Sequence, residues 1–172
     1  GTIGNSSGNK TVETVYTDSE GRYEVSHLGG AYTYRLRISP DHEKFYALGT
    51  APNNFDVSVG NGAFIVDKGT NMEVDFEIIP YGYFKFKYLN QNCFDSNDEI
   101  EVYREIDYEG YYGFQNPIYY EGCTDYTQEG YAKVPSGVWH FKWYVTKNGV
   151  TNMYTDTVLL EGGEYRVYEF LY

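Results

Sequence analysis

Seven aromatic rings crowd one short stretch of this chain, "YEGYYGFQNPIYYEGCTDY" from Tyr108 to Tyr126, and six of them are candidate ligand contacts: Tyr108, Tyr111, Tyr112, Phe114, Tyr119 and Tyr120. Exposed rings of this kind can bind sugars, because the apolar face of a pyranose stacks on an aromatic while its edge groups take hydrogen bonds. Gly110, Gly113 and Pro117 could hold the rings on a loop, and Asp107, Glu109, Gln115, Asn116 and Glu121 could supply the polar contacts. A second reading is structural. "IDYEGYYGF" and "PIYYEG" could be two strands of a hairpin around "QNP", with cross-strand ring pairs worth roughly 0.2–1 kcal/mol each. Neighbours on a strand face opposite sides, so Tyr111 and Tyr112 cannot both point inward.

Other chemistry-bearing residues are sparse. "DSNDE", Asp95 to Glu99, has the alternating carboxylates of a calcium loop. However, Ile100 and Ile106 stand where an EF-hand needs its glycine and its bidentate glutamate. A solvated turn before the strand "IEVYREI" is the better reading. His27, His42 and His140 are scattered, and neither a His-Glu-x-x-His helix nor a Gly-x-Ser-x-Gly elbow occurs. Acidic pairs are plentiful, but a pair alone does not make a glycosidase without a cleft and tuned carboxyls. The chain is therefore expected to be non-catalytic and to need no cofactor or metal. Cys93 and Cys123 are too few for a four-cysteine zinc site, and neither has a histidine at ligand spacing.

The elements that must carry these residues are strands. In "WHFKWYV", Trp139, Phe141, Trp143 and Val145 alternate with His140, Lys142 and Tyr144; in "YFKFKY", Phe84 and Phe86 alternate with Lys85 and Lys87. "EIEVY" sets Ile100 and Val102 against Glu99, Glu101 and Tyr103. Such period-two patterns belong to antiparallel sheets with one wet face. "KNGV" predicts a hairpin at Asn148-Gly149, where both residues tolerate positive φ. "EGGE", Glu161 to Glu164, predicts a second hairpin before "YRVYEFLY", and "DSEG", Asp18 to Gly21, a third.

Charge narrows the partners. Against 25 Asp and Glu the chain has only 13 Lys and Arg, a net charge of −12. Phosphate backbones are bound by clustered cations, and no such cluster occurs, so nucleic acid is not expected as a partner and anionic membrane surfaces are poor candidates. No apolar run reaches the roughly 18 residues of a membrane-spanning helix, so direct insertion is not expected. Aromatic content is 19%, with 21 tyrosines, which suits half-buried strands.

A faint internal echo divides the chain. "VSHLGGAYTYRLRI" followed later by "NMEVDFEII" parallels "VPSGVWHFKWYV" followed by "EYRVYEFLY". Pro80 suits a boundary better than a strand centre. The expected fold is all-β, with two tandem antiparallel β-sandwich domains, residues 1–79 and 80–172; one larger sandwich is the alternative.

"YTDSEGRYEVSHLGGAYTYRLRI", Tyr16 to Ile38, resembles the carboxypeptidase regulatory-like domain, a transthyretin-like sandwich. Thr17, Asp18, Gly21, Tyr23 and Val25 match that family's turn, and Gly29, Gly30 and Tyr32 its lead into the next strand. The family places a Gly-rich opening and a strand pair before this turn, where only "GTIGNSSGNKTVE" stands here. Such a domain followed by a Tyr-rich transthyretin-like or immunoglobulin-like sandwich is similar to surface lipoproteins of Gram-negative gut bacteria. The resemblance implies an exported chain, at the periplasm or outer-membrane surface, with a lipid anchor upstream of Gly1. It also implies a binding or scaffolding role, either as a glycan-binding accessory of polysaccharide uptake or as a structural subunit that contacts surface proteins through sheet edges. Export would let Cys93 and Cys123 close a loop of about 31 residues, stabilising by roughly 3.7 kcal/mol in the chain-entropy account. In a reducing compartment they would stay thiols.

Overall fold

The computed structural model describes residues 13–26, 33–51, 63–108 and 116–172. They form eleven β-strands and no helix: β1 (Thr33–Arg37), β2 (Phe45–Ala51), β3 (Ala63–Asp67), β4 (Asp75–Leu89), β5 (Glu99–Ile106), β6 (Ile118–Glu121), β7 (Asp125–Thr127), β8 (Ala132–Pro135), β9 (Gly137–Lys147), β10 (Val150–Leu160) and β11 (Tyr165–Leu171). The chain divides into two compact units, Gly1–Ile78 and Ile79–Tyr172.

In the first unit β1 and β3 pair antiparallel, from Thr33 opposite Asp67 to Arg37 opposite Ala63. Its core is small. Leu36 and Val74 are buried, with Tyr23, Val25, Val66 and Phe76 packed around them. The Tyr23 hydroxyl donates to the Val74 carbonyl. The turn expected at "DSEG" is present: Asp18 Oδ1 accepts the backbone N–H groups of Glu20 and Arg22, and Gly21 takes φ +80°. No strand flanks it among the described residues, so it is a turn without a hairpin.

Two sheets build the second unit. One runs β10-β9-β5-β6; in the other, β11, β7 and β8 all pair with β4. The alternation read from the sequence sets what faces inward. Phe84, Phe86 and Tyr88 from β4, Ile100 and Val102 from β5, Trp139, Phe141 and Val145 from β9, and Phe170 from β11 form one buried cluster. Trp139 fits there because its indole N–H donates to the Pro135 carbonyl at 3.1 Å. The hairpin at Asn148-Gly149 is a two-residue loop with φ of +48° and +73°, closing Lys147 opposite Val150. Positive φ at both positions matches the right-handed twist of the flanking strands.

"EGGE" is not a hairpin. It carries the chain from β10 in one sheet to β11 in the other, where β11 lies parallel to β4. Two contacts to β4 impose the crossing: Gly163 N–H donates to the Tyr81 carbonyl at 2.7 Å, and Tyr83 N–H to the Glu164 carbonyl at 2.8 Å. Gly162 lies against Pro80, whose Cγ would be 2.6 Å from any added Cβ.

Gly82 is the tightest point of this packing. A Cβ there would sit 2.5 Å from Leu160 Cδ2 and 3.0 Å from the Glu161 carbonyl oxygen. Gly82→Ala should therefore cost about 1–3 kcal/mol as an overpacked site, although alanine in a strand would otherwise stabilise by ~0.4–1 kcal/mol. A lowered urea midpoint at unchanged m-value is the expected result. An unchanged or raised midpoint would show that β10 does not press on β4.

Candidate functional site

The tyrosine stretch is split between the two faces of one sheet. In the β5–β6 pairing Tyr120 stands opposite Ile100 and Tyr119 opposite Glu101. Tyr120 therefore turns inward, with its ring 4.7 Å from Tyr88 and 5.3 Å from Tyr126. Tyr119 turns outward and is 49% exposed. Tyr108 is half-buried, and its ring covers Gly137 so closely that a Cβ there would be 2.6 Å from the hydroxyl. Tyr111, Tyr112 and Phe114 lie outside the described residues, as do Glu109 and Gln115. Of the stretch's four described rings, Tyr119 and Tyr126 are the more exposed, at 49% and 41%, and Tyr126 also packs on Tyr88 and Tyr120.

Around Tyr119 the outer face of this sheet is acidic. Glu99 and Glu121 are direct cross-strand neighbours, an arrangement that repels. The Tyr119 hydroxyl lies 2.6 Å from Glu99 Oε2 and 2.8 Å from Glu121 Oε1 and can donate to only one at a time. Both carboxylates push its ionisation well above the ordinary range. Farther along the same face the Tyr103 hydroxyl donates to Glu101 at 2.8 Å, and His140 Nε2 lies 2.9 Å from Asp107 Oδ1. His140 Nδ1 contacts Thr157, and the pair is exposed, so it forms no enclosed acid–base centre. His42 is exposed, His27 is outside the described residues, and no cluster of three metal-binding side chains occurs among the described residues.

The opposite sheet presents a different face, which the tyrosine-stretch reading missed. Outward residues of β4 and β11 set Tyr83 against Tyr165, stacked at 4.3 Å with planes 6° apart. Tyr131 meets Tyr165 edge to face at 5.1 Å, with Lys85 Nζ 6.0 Å from the Tyr131 ring. Lys133 lies over Tyr81 at 4.3 Å. Cations and rings thus share one face of an acidic chain. "YGYFKFKY" carries the signal, since its outward residues are Tyr81, Tyr83, Lys85 and Lys87. In the first unit a cleft of about 910 Å³ opens between Glu20–Ser26 and Val66–Asp75, floored by Tyr23, Leu36 and Val74. Its rim mixes both charge signs: Arg22 and Lys68 with Glu24 and Glu73.

Among the described residues, an 11-residue strand also stands open along one edge. β10 ends its sheet and pairs only with β9 among the described residues. Of its residues only Val158 and Leu160 are buried; Met153 is 58% exposed, Tyr154 47% and Leu159 55%. Its sequence, "VTNMYTDTVLL", contains a single charge, Asp156. Edge strands of soluble proteins usually carry lysines, prolines or bulges that discourage pairing. This one has none of these.

What fixes these surfaces is a polar junction at one end of the unit. Cys93 and Cys123 form a disulfide with their Cα atoms 5.1 Å apart. The turn expected at "DSNDE" is present, with Ser96 and Asn97 exposed, but beside the disulfide Asp98 is fully buried. Its Oδ2 accepts from the Asn90 amide (2.9 Å) and the Phe94 N–H (2.8 Å). Lys147 Nζ donates to Asn90 Oδ1 at 2.7 Å and to the Asn92 carbonyl at 3.0 Å. Asn90 also donates to the Gly122 carbonyl. Residues following β4 and β6, preceding β5 and ending β9 are thereby tied together.

These hydrogen bonds, the Asn90 amide first and Phe94 next, with Lys147 nearby, hold the Asp98 carboxyl below its ordinary 3.8. The sign follows directly. A carboxyl lowered on folding contributes stability that is complete above 3.8 and lost as pH falls through the folded value. The wild-type urea midpoint should drop as the medium is acidified below 3.8, and Asp98→Asn, already weaker at neutral pH, should drop less steeply. Parallel pH profiles for the two proteins would contradict this role.

No protein-family model matches the chain, and neither a curated protein nor a solved structure gives a match.

Proposed function

We propose that this chain is a non-catalytic, exported binding and scaffolding module that contacts other proteins through the free edge of β10. The observation that carries this reading is the edge itself, an 11-residue strand with exposed apolar side chains and one charge. An extended segment of a partner can add to such an edge, with affinity from main-chain hydrogen bonds and selectivity from alternate side chains. The disulfide supports an oxidising compartment. With the resemblance at Tyr16–Ile38, the reading is of two tandem β-sandwiches, the first of the carboxypeptidase regulatory-like kind, held at the outer-membrane surface by a lipid anchor.

A second reading is favoured by the exposed rings. Tyr165 and Tyr131 beside Lys85, or Tyr119 among its carboxylates, would serve a glycan as part of a polysaccharide uptake system.

Thr155→Pro separates the two. A residue facing the free edge uses its N–H for no internal bond, so proline is tolerated there while the edge loses a donor. Short peptides displayed on phage, selected on the wild type, should be extended and alternately apolar and should bind Thr155→Pro at least roughly tenfold more weakly. Equal binding to both proteins, or no enrichment, would contradict the edge reading. Saturable binding of an oligosaccharide that survives Thr155→Pro but is lost in Tyr165→Ala or Tyr119→Ala would establish the glycan reading instead.

A further inference from the structure

We infer that the strand which occupies the β10 edge is β10 of a second copy of this chain, paired antiparallel about a two-fold axis at Tyr154. This inference rests on the edge reading above and names its partner.

Hydrogen-bond parity limits the choice. The Asn148-Gly149 loop is flanked by the pair Lys147 and Val150, which in a two-residue hairpin is a hydrogen-bonded pair. Bonded and non-bonded pairs then alternate. The even-numbered residues of β10 bond to β9, and the N–H and C=O groups of Thr151, Met153, Thr155, Thr157 and Leu159 point to the free edge. The contact between Thr146 and Thr151 hydroxyls, 2.8 Å, is the close side-chain approach of a non-bonded pair. Only outward residues can bond across a new interface, so each register pairs odd residues with odd and even with even. A one-residue slip would also turn every side chain to the wrong face.

With the axis at Tyr154, three kinds of row join like with like: Thr151 with Thr157, Tyr154 with Tyr154 and Val150 with Val158. Met153 bonds to Thr155 of the other copy and Thr151 to its Thr157. The two Tyr154 rings meet in the closer, non-bonded position, and Val150 lies opposite Val158. Cross-strand pairs of aromatic, threonine and β-branched residues are the favourable kinds. Asp156, the one charge of the strand, falls opposite Asn152 of the other copy and never opposite itself. At present Asp156 Oδ1 holds the Thr157 N–H at 2.8 Å, which masks one edge donor. In the pair the Asn152 amide of the other copy donates to that oxygen, releasing Thr157 N–H for the carbonyl of Thr151 across the axis. Asp156 Oδ2 keeps the Tyr168 hydroxyl at 2.6 Å throughout. The neighbouring register, with the axis at Thr155, sets Asn152 against Val158 and Thr151 against Leu159 and matches no such row. β11, the edge of the other sheet, holds Arg166 and Glu169 within seven residues and is less suited to pair with itself.

Each copy has a net charge of −12, so the copies repel at long range and salt should tighten the dimer by screening.

Sedimentation equilibrium of the wild-type chain, from low to several hundred micromolar, tests the inference. A monomer–dimer equilibrium is expected, strengthened by salt and abolished by Thr155→Pro at unchanged circular dichroism. The register predicts opposite signs at one exposed position. Asn152→Asp, which faces Asp156 of the other copy, should weaken the dimer, and Asn152→Lys should strengthen it. A wild type that stays monomeric, a dimer untouched by Thr155→Pro, or equal dimers from the two Asn152 variants would overturn the inference. If the wild type is monomeric yet selected peptides still require Thr155, self-pairing fails and the edge reading stands. If those peptides also fail, both fall.

Discussion

Phe86 sits where the two sheets of the second unit meet, 6.0 Å from Phe141 and 6.2 Å from Phe170, with Phe84 at 5.2 Å. Phe84 in turn meets Trp139 edge to face at 5.8 Å, and Tyr88 stacks on Phe170 at 5.1 Å. Edge-to-face contacts of this kind add about 0.5–1.5 kcal/mol each to the burial of the rings. They also fix geometry, because rings on β4 must lock against rings from β9 and β11. Every strand of the unit is placed by whether it can deliver residues to this cluster. β10 delivers only Val158 and Leu160, at its end, and the rest of its length is left outside.

That division explains why the functional reading falls on an edge. A core this aromatic draws Tyr88, Tyr120 and Tyr168 inward, so tyrosine content alone does not make a binding platform. The buried Asp98, held by Asn90 and Phe94 beside the disulfide, clamps the end of the unit at which the β9–β10 hairpin begins. A hairpin tied down at its turn and carrying a single charge along its edge is suited to receive another strand, since little ordering remains to be done on binding.

Much of this was legible in the sequence where the period was strict. Trp139, Phe141 and Val145 face inward as their spacing demands, and Asn148-Gly149 turns as its residues allow. "EGGE" misled because a Gly-Gly turn between two strand-like runs reads the same whether the strands share a sheet or leave it. The deciding contacts, to Tyr81 and Tyr83, come from eighty residues upstream. The turn at "DSNDE" is legible, but nothing local shows that the Asn90 amide and the Phe94 N–H will surround Asp98 at its end. β10 drew no attention for a related reason. An edge strand has no strong alternation, and "VTNMYTDTVLL" becomes conspicuous only once its neighbour on one side is known to be missing among the described residues.

Residue-resolved amide hydrogen exchange along β10 tests the central claim most directly. At low concentration the account predicts alternation: slow exchange at Asn152 and Tyr154, whose N–H groups bond to β9, and fast exchange at Met153 and Thr155, which face the free edge. At high concentration Met153 and Thr155 should become slow as well. Exchange that is slow at these two residues at every concentration would mean the edge is already covered. Exchange that stays fast at every concentration, with or without a selected peptide, would mean that nothing pairs with it.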